Sequence, residues 1–475
     1  MLQVLLLQRT FPLIVLLQDV LQKKLEILIY DNNDAMKTFS VKFEDFIFAS
    51  FISFLTIFSV LYYAFDNEGK YIFMLVSIIN VIYLFRFSKV IPIFIVLLFS
   101  LLYVIEMRHF FSSGLRISYW NSFQEAKYLN KALVLHALFL FPFVFLSLFS
   151  DDNKFPTFDE IRRNNYVVFY FSIISFFILT HIGIKGETVL NSAYGSNDSE
   201  KTALYEYGII FFIIANIYSS KSFLQKFIIL FGLIWFSVKS VLYGGRVEVL
   251  QIGLAFLYMS YNFAHDIERK KLIIYGLFGL LLMTVIGTIR GNPELIFSLM
   301  NGSFSIEMIF SPPRNGIVSS NFGDVMQASS RMIGLSDTGI WDLSFRISSF
   351  ISFLFNIFLY GMEFKNASNL ALADQAVYGA GGGGLISSYF YVWLGWIGPV
   401  LSGLWLVLTF YFGLYKNKNN IFLYIYAFAL LVTFPRWLAY SPIVLVKFGV
   451  FSMIFLMFMY CIDKLIRQFL SARHV

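Results

Sequence analysis

Apolar segments of about 18 or more residues, the length an α-helix needs to cross a bilayer, recur along almost the whole chain. Only one long interval, residues 290–384, interrupts them. Of the 475 residues, 58% are hydrophobic and 14% are charged, which is more apolar surface than a soluble core could bury. The sequence therefore predicts an all-α polytopic membrane protein.

We expect about twelve spanning helices, with boundaries set by hydropathy and helical periodicity. They cover residues 44–65, 70–87, 90–107, 131–150, 166–184, 204–219, 222–240, 246–263, 271–289, 385–413, 420–435 and 442–463. In the first 30 residues, apolar stretches are broken by Arg9 and Pro12. That pattern predicts an interfacial helix and no cleavable signal peptide.

Basic residues set the orientation, because cytoplasmic loops are enriched in lysine and arginine. With a cytoplasmic N-terminus, clusters such as residues 162–163 and 269–271 fall on the inner side. The interval 290–384 contains a single lysine, Lys365, and is predicted to be a periplasmic loop. The chain thus divides into a transmembrane bundle (1–289), the outer loop (290–384) and C-terminal transmembrane helices (385–475).

The outer loop is too long and too mixed in composition to be a simple linker, so we expect it to fold against the bundle. Residues 341–360 carry apolar side chains at helical spacing. This pattern predicts an amphipathic helix on the membrane surface, with a re-entrant segment as the alternative.

One motif lies two predicted spans before the loop, and another begins at the end of the loop. Residues 243–250 (YGGRVEVL) open one predicted span, and a glycine run at 381–384 precedes the segment 393–399 (WLGWIGP). In order and spacing these motifs resemble those of bacterial O-antigen polymerases, including the enterobacterial common antigen polymerase. The sequence motifs that carry the resemblance cover about 40 residues. The order of predicted helices and the single long loop are similar over most of the chain.

The resemblance implies a GT-C-like membrane glycosyltransferase in the bacterial inner membrane, with its active site facing the periplasm. Such an enzyme joins oligosaccharide repeat units carried on undecaprenyl diphosphate into O-antigen or a related surface polysaccharide. The growing chain moves onto the incoming lipid-linked unit, and undecaprenyl diphosphate leaves. Membrane lipids and a chain-length regulator protein are the other implied partners.

Arg246 is the leading candidate for binding the diphosphate. It opens a predicted helix, whose N-terminus favours anions, and Gly244 and Gly245 let a phosphate approach the backbone. Arginine also presents a bidentate fork to phosphate. The alternative is an interfacial arginine that extends to lipid head groups.

Further candidates lie on the same predicted face. Arg290, Arg331 and Asp337 are assigned catalytic roles with Arg246. Substrate binding is assigned to Arg314, Arg346, Arg436, Gly382 and Gly383, together with Gly244 and Gly245. The glycine run has a plain alternative, a flexible hinge between loop and helix. Candidates for the carboxylate that orients the acceptor are Glu248, Asp324, Asp337, Asp342, Glu363 and Asp374, and spacing singles out none of them.

Several classes of function are disfavoured. The one cysteine, Cys461, permits no disulfide framework, and no His/Cys/carboxylate cluster has metal-ligand spacing, so we expect no metal and no cofactor. The formal charge of +7 matches anionic lipid head groups, and no nucleic-acid partner is expected. An O-antigen ligase and a lipid-linked oligosaccharide flippase or other transporter remain as alternatives, although the outer loop has no histidine and no internal repeat is evident.

We predict that Arg246→Ala abolishes polymer while the protein stays inserted, and that Arg246→Lys rescues poorly because a lysine lacks the bidentate fork. Gel analysis of the surface glycan should show single repeat units on the lipid core. Normal long-chain polymer in Arg246→Ala would return Arg246 to a head-group anchor.

Overall fold

The computed structural model describes most of the chain, with several gaps. The described residues are 24–30, 36–67, 69–87, 100–101, 103–104, 126–149, 161–186, 188, 199–220, 222–243, 245, 247–260, 274, 301–303, 305, 321–358, 369–378, 383–416 and 420–472.

The described part is predominantly helical. Its helices are α1 (Phe43–Phe65), α2 (Lys70–Phe87), α3 (Ala126–Phe149), α4 (Tyr166–Ile182), α5 (Ala203–Ile217), α6 (Phe223–Leu242), α7 (Val247–Ser260), α8 (Asn321–Asp337), α9 (Leu343–Leu354), α10 (Leu370–Tyr378), α11 (Ile386–Leu394), α12 (Ile397–Phe410), α13 (Ile421–Val432), α14 (Phe434–Ala439) and α15 (Ile443–Ala472). A π-helical segment, Tyr411–Lys416, continues α12.

Two short antiparallel hairpins accompany the helices. Strand β1 (Lys24–Tyr30) pairs with β2 (Met36–Lys42), and β3 (Ile184–Gly186) pairs with β4 (Ser199–Lys201). The first hairpin corrects the predicted N-terminal interfacial helix where the structure describes it, because the alternating sequence KLEILIY suits a strand. The earlier residues of that prediction lie outside the described residues.

Eight of the predicted spans each coincide with one described helix, and the span predicted at 420–435 covers α13 and the first residues of α14. The spans predicted at 90–107 and 271–289 fall largely outside the described residues, so the total of about twelve stays a prediction. Five of the described helices are long and apolar enough to cross a membrane, and six shorter apolar helices accompany them. The five segments are Asp45–Phe65, Lys127–Val144, Phe223–Leu242, Ile397–Leu414 and Ile443–Ile466. These features support a helical, membrane-embedded protein.

The span predicted at 385–413 is wrong as a single helix. It is divided into α11 and α12 by Gly395, whose φ of 66° is accessible mainly to glycine. The second helix then lies close to the first, since a Cβ at Gly398 would be 2.0 Å from the Phe390 carbonyl oxygen. Hydropathy alone does not show such a break.

The helices pack in two groups. The first surrounds α3, which contacts α1, α2, α8, α11 and α12, and the second contains α4 to α7 with α13 and α15. Among the connections between the groups is the short helix α14, which contacts α7, α11, α13 and α15. The core is continuous through both groups.

The described part of the predicted outer loop packs on the bundle. In α8, residues 325–336 are all buried, against α3, α11 and α10. The predicted amphipathic segment 341–360 contains a shorter helix, α9, capped by Asp342. Its buried side packs on α11, where Phe353 stacks on Trp393 at 4.6 Å, and its exposed side carries Leu343 and Ile347. This exposed apolar side suits a membrane surface.

Close packing between α3 and α12 generates a stability prediction. A Cβ at Gly403 would be 2.2 Å from the Phe139 carbonyl oxygen and 3.1 Å from the Pro142 ring. We predict that Gly403→Ala destabilises the protein by about 1–3 kcal/mol, seen as a lower melting temperature in detergent. Gly253→Ala is the matched control, because nothing lies within 4 Å of its Cβ position. Equal melting of both variants would contradict this packing.

Candidate functional site

Arg436 is the centre of a charged cluster formed by three helices. Its Nη2 donates hydrogen bonds to Glu206 Oε1 and Glu248 Oε1, each at 2.5 Å. Arg436 lies on α14, a short helix that starts after Thr433 with Pro435 in its first turn. Proline is preorganised for that position, so the sequence itself ends α13 and begins α14 here.

Both carboxylates occupy the first turns of their helices, Glu206 in α5 and Glu248 in α7. A carboxylate is stabilised at a helix N-terminus by the positive end of the helix dipole. Side-chain exposure is 19% for Glu206, 2% for Glu248 and 26% for Arg436. Glu248 is therefore the buried support of the cluster, and Glu206 and Arg436 are its accessible members.

A cavity of about 490 Å³ opens beside this cluster. Its lining comprises Thr202, Ala203, Glu206, Asn369, Ala371, Gln375, Gly383, Arg436, Tyr440, Ser441 and Val444. Two of the predicted substrate-binding residues, Arg436 and Gly383, are thus brought together. The lining mixes a cation, a carboxylate, amides and hydroxyls, which are the groups that bind phosphate and sugar hydroxyls.

The two described glycines at the end of the loop, Gly383 and Gly384, are closely packed. A Cβ at Gly383 would be 1.8 Å from the Tyr440 carbonyl oxygen, and one at Gly384 would be 2.1 Å from the Met332 methyl carbon. Tyr389 donates its hydroxyl hydrogen bond to the same Tyr440 carbonyl at 2.6 Å. At these two positions only glycine leaves room for the neighbouring atoms of Tyr440 and Met332. A flexible hinge would not need such close packing. Gly382 lies outside the described residues.

Arg331, predicted to be catalytic, forms a buried ion pair with Asp374. Its Nη2 lies 2.6 Å from Asp374 Oδ2, its Nε also donates to that carboxylate, and the two side chains are 1% and 0% exposed. Burial raises the pKa of the Asp374 carboxyl above its usual range, and Arg331 opposes that rise. The pair joins α8 to α10 and does not line the cavity, so its place in the fold is structural.

Asp337, the other described residue assigned a catalytic role, belongs to a separate cluster. Its carboxylate accepts from Lys131 Nζ at 2.5 Å and from the Tyr391 hydroxyl at 2.7 Å. The Lys131 ammonium also lies over the rings of Tyr391 and Trp396, at 4.4 and 5.0 Å. Nearby, Arg346 donates from Nε to the Val392 carbonyl. Asp337 and Arg346 thus connect the loop helices to α3 and α11 rather than line the cavity.

The remaining predicted residues are only partly placed. Gly245 is buried; its N–H donates to the Ser240 carbonyl at 2.7 Å, and its carbonyl accepts from the Ser240 hydroxyl at 2.9 Å. The start of α7 is therefore tied to the end of α6. Arg246, Gly244, Arg290 and Arg314 lie outside the described residues.

Sequence reasoning missed Glu206 and Tyr440. Glu206 had a usable signal: an acidic residue in the first turn of a span that begins on the same predicted face as the helix of Arg246. The six carboxylates named from the sequence all lie in the loop or in α7, whereas Glu206 lies in α5. Tyr440 had no comparable signal, since aromatic residues are common throughout the chain.

Within the ranges described, no three His, Cys, Asp or Glu side chains are grouped so as to hold a metal ion. Comparisons with protein-family models, curated proteins and solved structures find no match to this chain.

The buried ion pair generates a prediction. Asp374→Asn removes the carboxylate charge from a buried ion pair with the Arg331 guanidinium, so we expect a loss of about 3–5 kcal/mol of stability. The double variant Arg331→Met/Asp374→Leu should recover much of that loss because it removes both buried charges. Asp342→Asn is the control, since Asn also caps a helix well at this exposed position. Melting of Asp374→Asn like the wild type would refute the structural role.

Proposed function

We propose that this chain is a polysaccharide polymerase of the membrane-embedded glycosyltransferase class. It would join undecaprenyl-diphosphate-linked oligosaccharide units at the outer face of the bacterial inner membrane. The observation that carries the proposal is the cavity at the helix ends, which places the guanidinium of Arg436 beside the carboxylate of Glu206. The motifs at residues 243–250 and 381–399 add the family resemblance.

Arg436 retains donors for a ligand. Both carboxylates are held through one nitrogen, Nη2. The Arg436 side chain is 26% exposed and lines the cavity, where a diphosphate oxygen would contact it. The ring of Tyr440, centred 5.9 Å from the guanidinium carbon, forms one wall.

The proposed reaction is a direct group transfer. A hydroxyl oxygen of the acceptor unit bonds to the anomeric carbon of the growing chain, while the bond from that carbon to the diphosphate oxygen breaks. The diphosphate keeps the bonding electrons, and the acceptor proton passes to a carboxylate. Arg436 would stabilise the charge on the leaving diphosphate, as fixed cationic donors do.

Glu206 is the carboxylate best placed to receive the proton, because it lines the cavity whereas Glu248 is almost fully buried. Its own ion pair with Arg436 would orient it. This assignment replaces Asp337, whose carboxylate is engaged by Lys131 and Tyr391. Geometry comes first in such an assignment, because a base must reach the hydroxyl from which it takes the proton.

The position of the charges favours a transferase over a transporter. Transporters place charged residues near the middle of the membrane, on the substrate path. Here the two ion-paired residues that line the cavity lie at helix ends. Glu206 is in the first turn of α5, and Arg436 lies just beyond the end of α13. A lipid-linked substrate presents its diphosphate at that level, next to the head groups.

We predict that Glu206→Gln reduces polymer synthesis by about 10²-fold or more, because it removes the proton acceptor but keeps the shape and a hydrogen bond to Arg436. Arg436→Lys should also lose long-chain polymer, since lysine lacks the planar fork. Both are read on gels of the surface glycan, alongside protein level and melting temperature.

Lys239→Ala is the matched control. This lysine lies at the corresponding end of α6, contacts the Thr180 and His181 carbonyl groups and does not line the cavity. It should leave the polymer unchanged. Wild-type polymer length in both Glu206→Gln and Arg436→Lys would contradict the proposed site.

A further inference from the structure

A second cavity lies at the other end of the second helix group. It has a volume of about 380 Å³ and is bounded by the start of α4, the end of α5 and α15, with Arg163, Tyr218, Asp463 and Lys464 in its lining. Helix α5 separates it from the first site: Glu206 is in the first turn and Tyr218 is the C-cap. At 1.5 Å per residue, the two sites are about 20 Å apart.

The chain holds Arg163 at this cavity through its backbone. The Arg163 N–H donates to the Ile217 carbonyl at 2.7 Å, and the Asn165 N–H donates to the Tyr218 carbonyl at 3.2 Å. The Asn165 side chain already caps α4, accepting from the amides of Val167 and Val168. An anion here would therefore be bound by the cationic side chains rather than by the helix N-terminus.

The charge of the lining favours an anion. Arg163 and Lys464 contribute two positive charges, and Asp463 contributes one negative charge. Both cationic side chains are exposed, as expected for groups that extend to a membrane surface. The sequence independently places both residues on the cytoplasmic side, where anionic lipids attract basic residues.

Exposed apolar side chains continue from the cavity along both bordering helices. On α4, Tyr166 and Ile174 are each 56% exposed, and on α15 Phe458 is 54% exposed. The rings of Phe171 and Phe458 meet edge to face at 6.3 Å and close the seam between the helices. A polar cavity that leads into an apolar seam matches the two parts of a phospholipid, its charged head group and its acyl chains.

We infer that this cavity binds the phosphate group of an anionic membrane phospholipid, with the acyl chains along the seam of α4 and α15. Arg163 and Lys464 would donate charge-assisted hydrogen bonds to the phosphate oxygens. The site is independent of the proposed transferase activity, because it lies at the opposite end of α5.

The test uses the full-length protein in nanodiscs that contain phosphatidylglycerol in a phosphatidylcholine background. Native mass spectrometry after release into detergent measures the phosphatidylglycerol that stays bound. We expect Arg163→Ala/Lys464→Ala to retain it at least about tenfold less than the wild type. Lys226→Ala, which removes one exposed charge on α6 near the same end, should retain it like the wild type.

Equal retention in the double variant, or equal loss in Lys226→Ala, would overturn the inference. Glycerol phosphate distinguishes a lipid from a soluble ligand: if it displaces the bound phosphatidylglycerol, the site recognises a soluble phosphate ester. Single variants, Arg163→Ala and Lys464→Ala, keep the test decisive if the double variant expresses poorly, since each should weaken retention. Both side chains are exposed, so neither substitution opens a cavity in the core.

Discussion

The ion pairs of Arg436 with Glu206 and Glu248 are the interaction on which the cavity end of the bundle depends. The two carboxylates come from the N-termini of α5 and α7, and they would repel each other without the guanidinium between them. Arg436 is placed by α14, which contacts helices of both groups. The cluster thereby fixes the geometry of the cavity and links it to the packing between the groups.

Arg331 and Arg436 lie on the same predicted face of the membrane but differ in burial, and this difference suggests a structural role for the first and a ligand-binding role for the second. Arg331 uses its fork on Asp374 inside the protein, where both side chains are inaccessible. Arg436 binds both of its carboxylates through one nitrogen, and its partly exposed side chain lines the cavity. Breaking the first pair is expected to affect folding, because the ion pair is buried and losing one member weakens the compensation of the other charge. Altering the ion pairs of Arg436 is expected to weaken the binding of a ligand in the cavity.

The spanning helices were predictable because hydropathy over about 18 residues measures the property that the bilayer selects. Helix α8 was not, since its buried stretch includes Ser329, Ser330 and Arg331 and has little apolar character. The break at Gly395 depends on one positive φ angle. Residue type alone identified Arg436 and Gly383 as candidates for the site. The packing of the helices was needed to show that Glu206 lines the same cavity and that Arg331 does not.

The affinity of the purified protein for undecaprenyl diphosphate tests most directly the proposal that Arg436 binds the diphosphate of the lipid carrier. We predict that the wild type binds this lipid and that Arg436→Lys, which preserves the charge but loses the fork, binds it at least about tenfold more weakly. Undecaprenol, which has no phosphate, should bind both proteins equally. Equal affinity of the two proteins for undecaprenyl diphosphate would contradict the proposed role of Arg436.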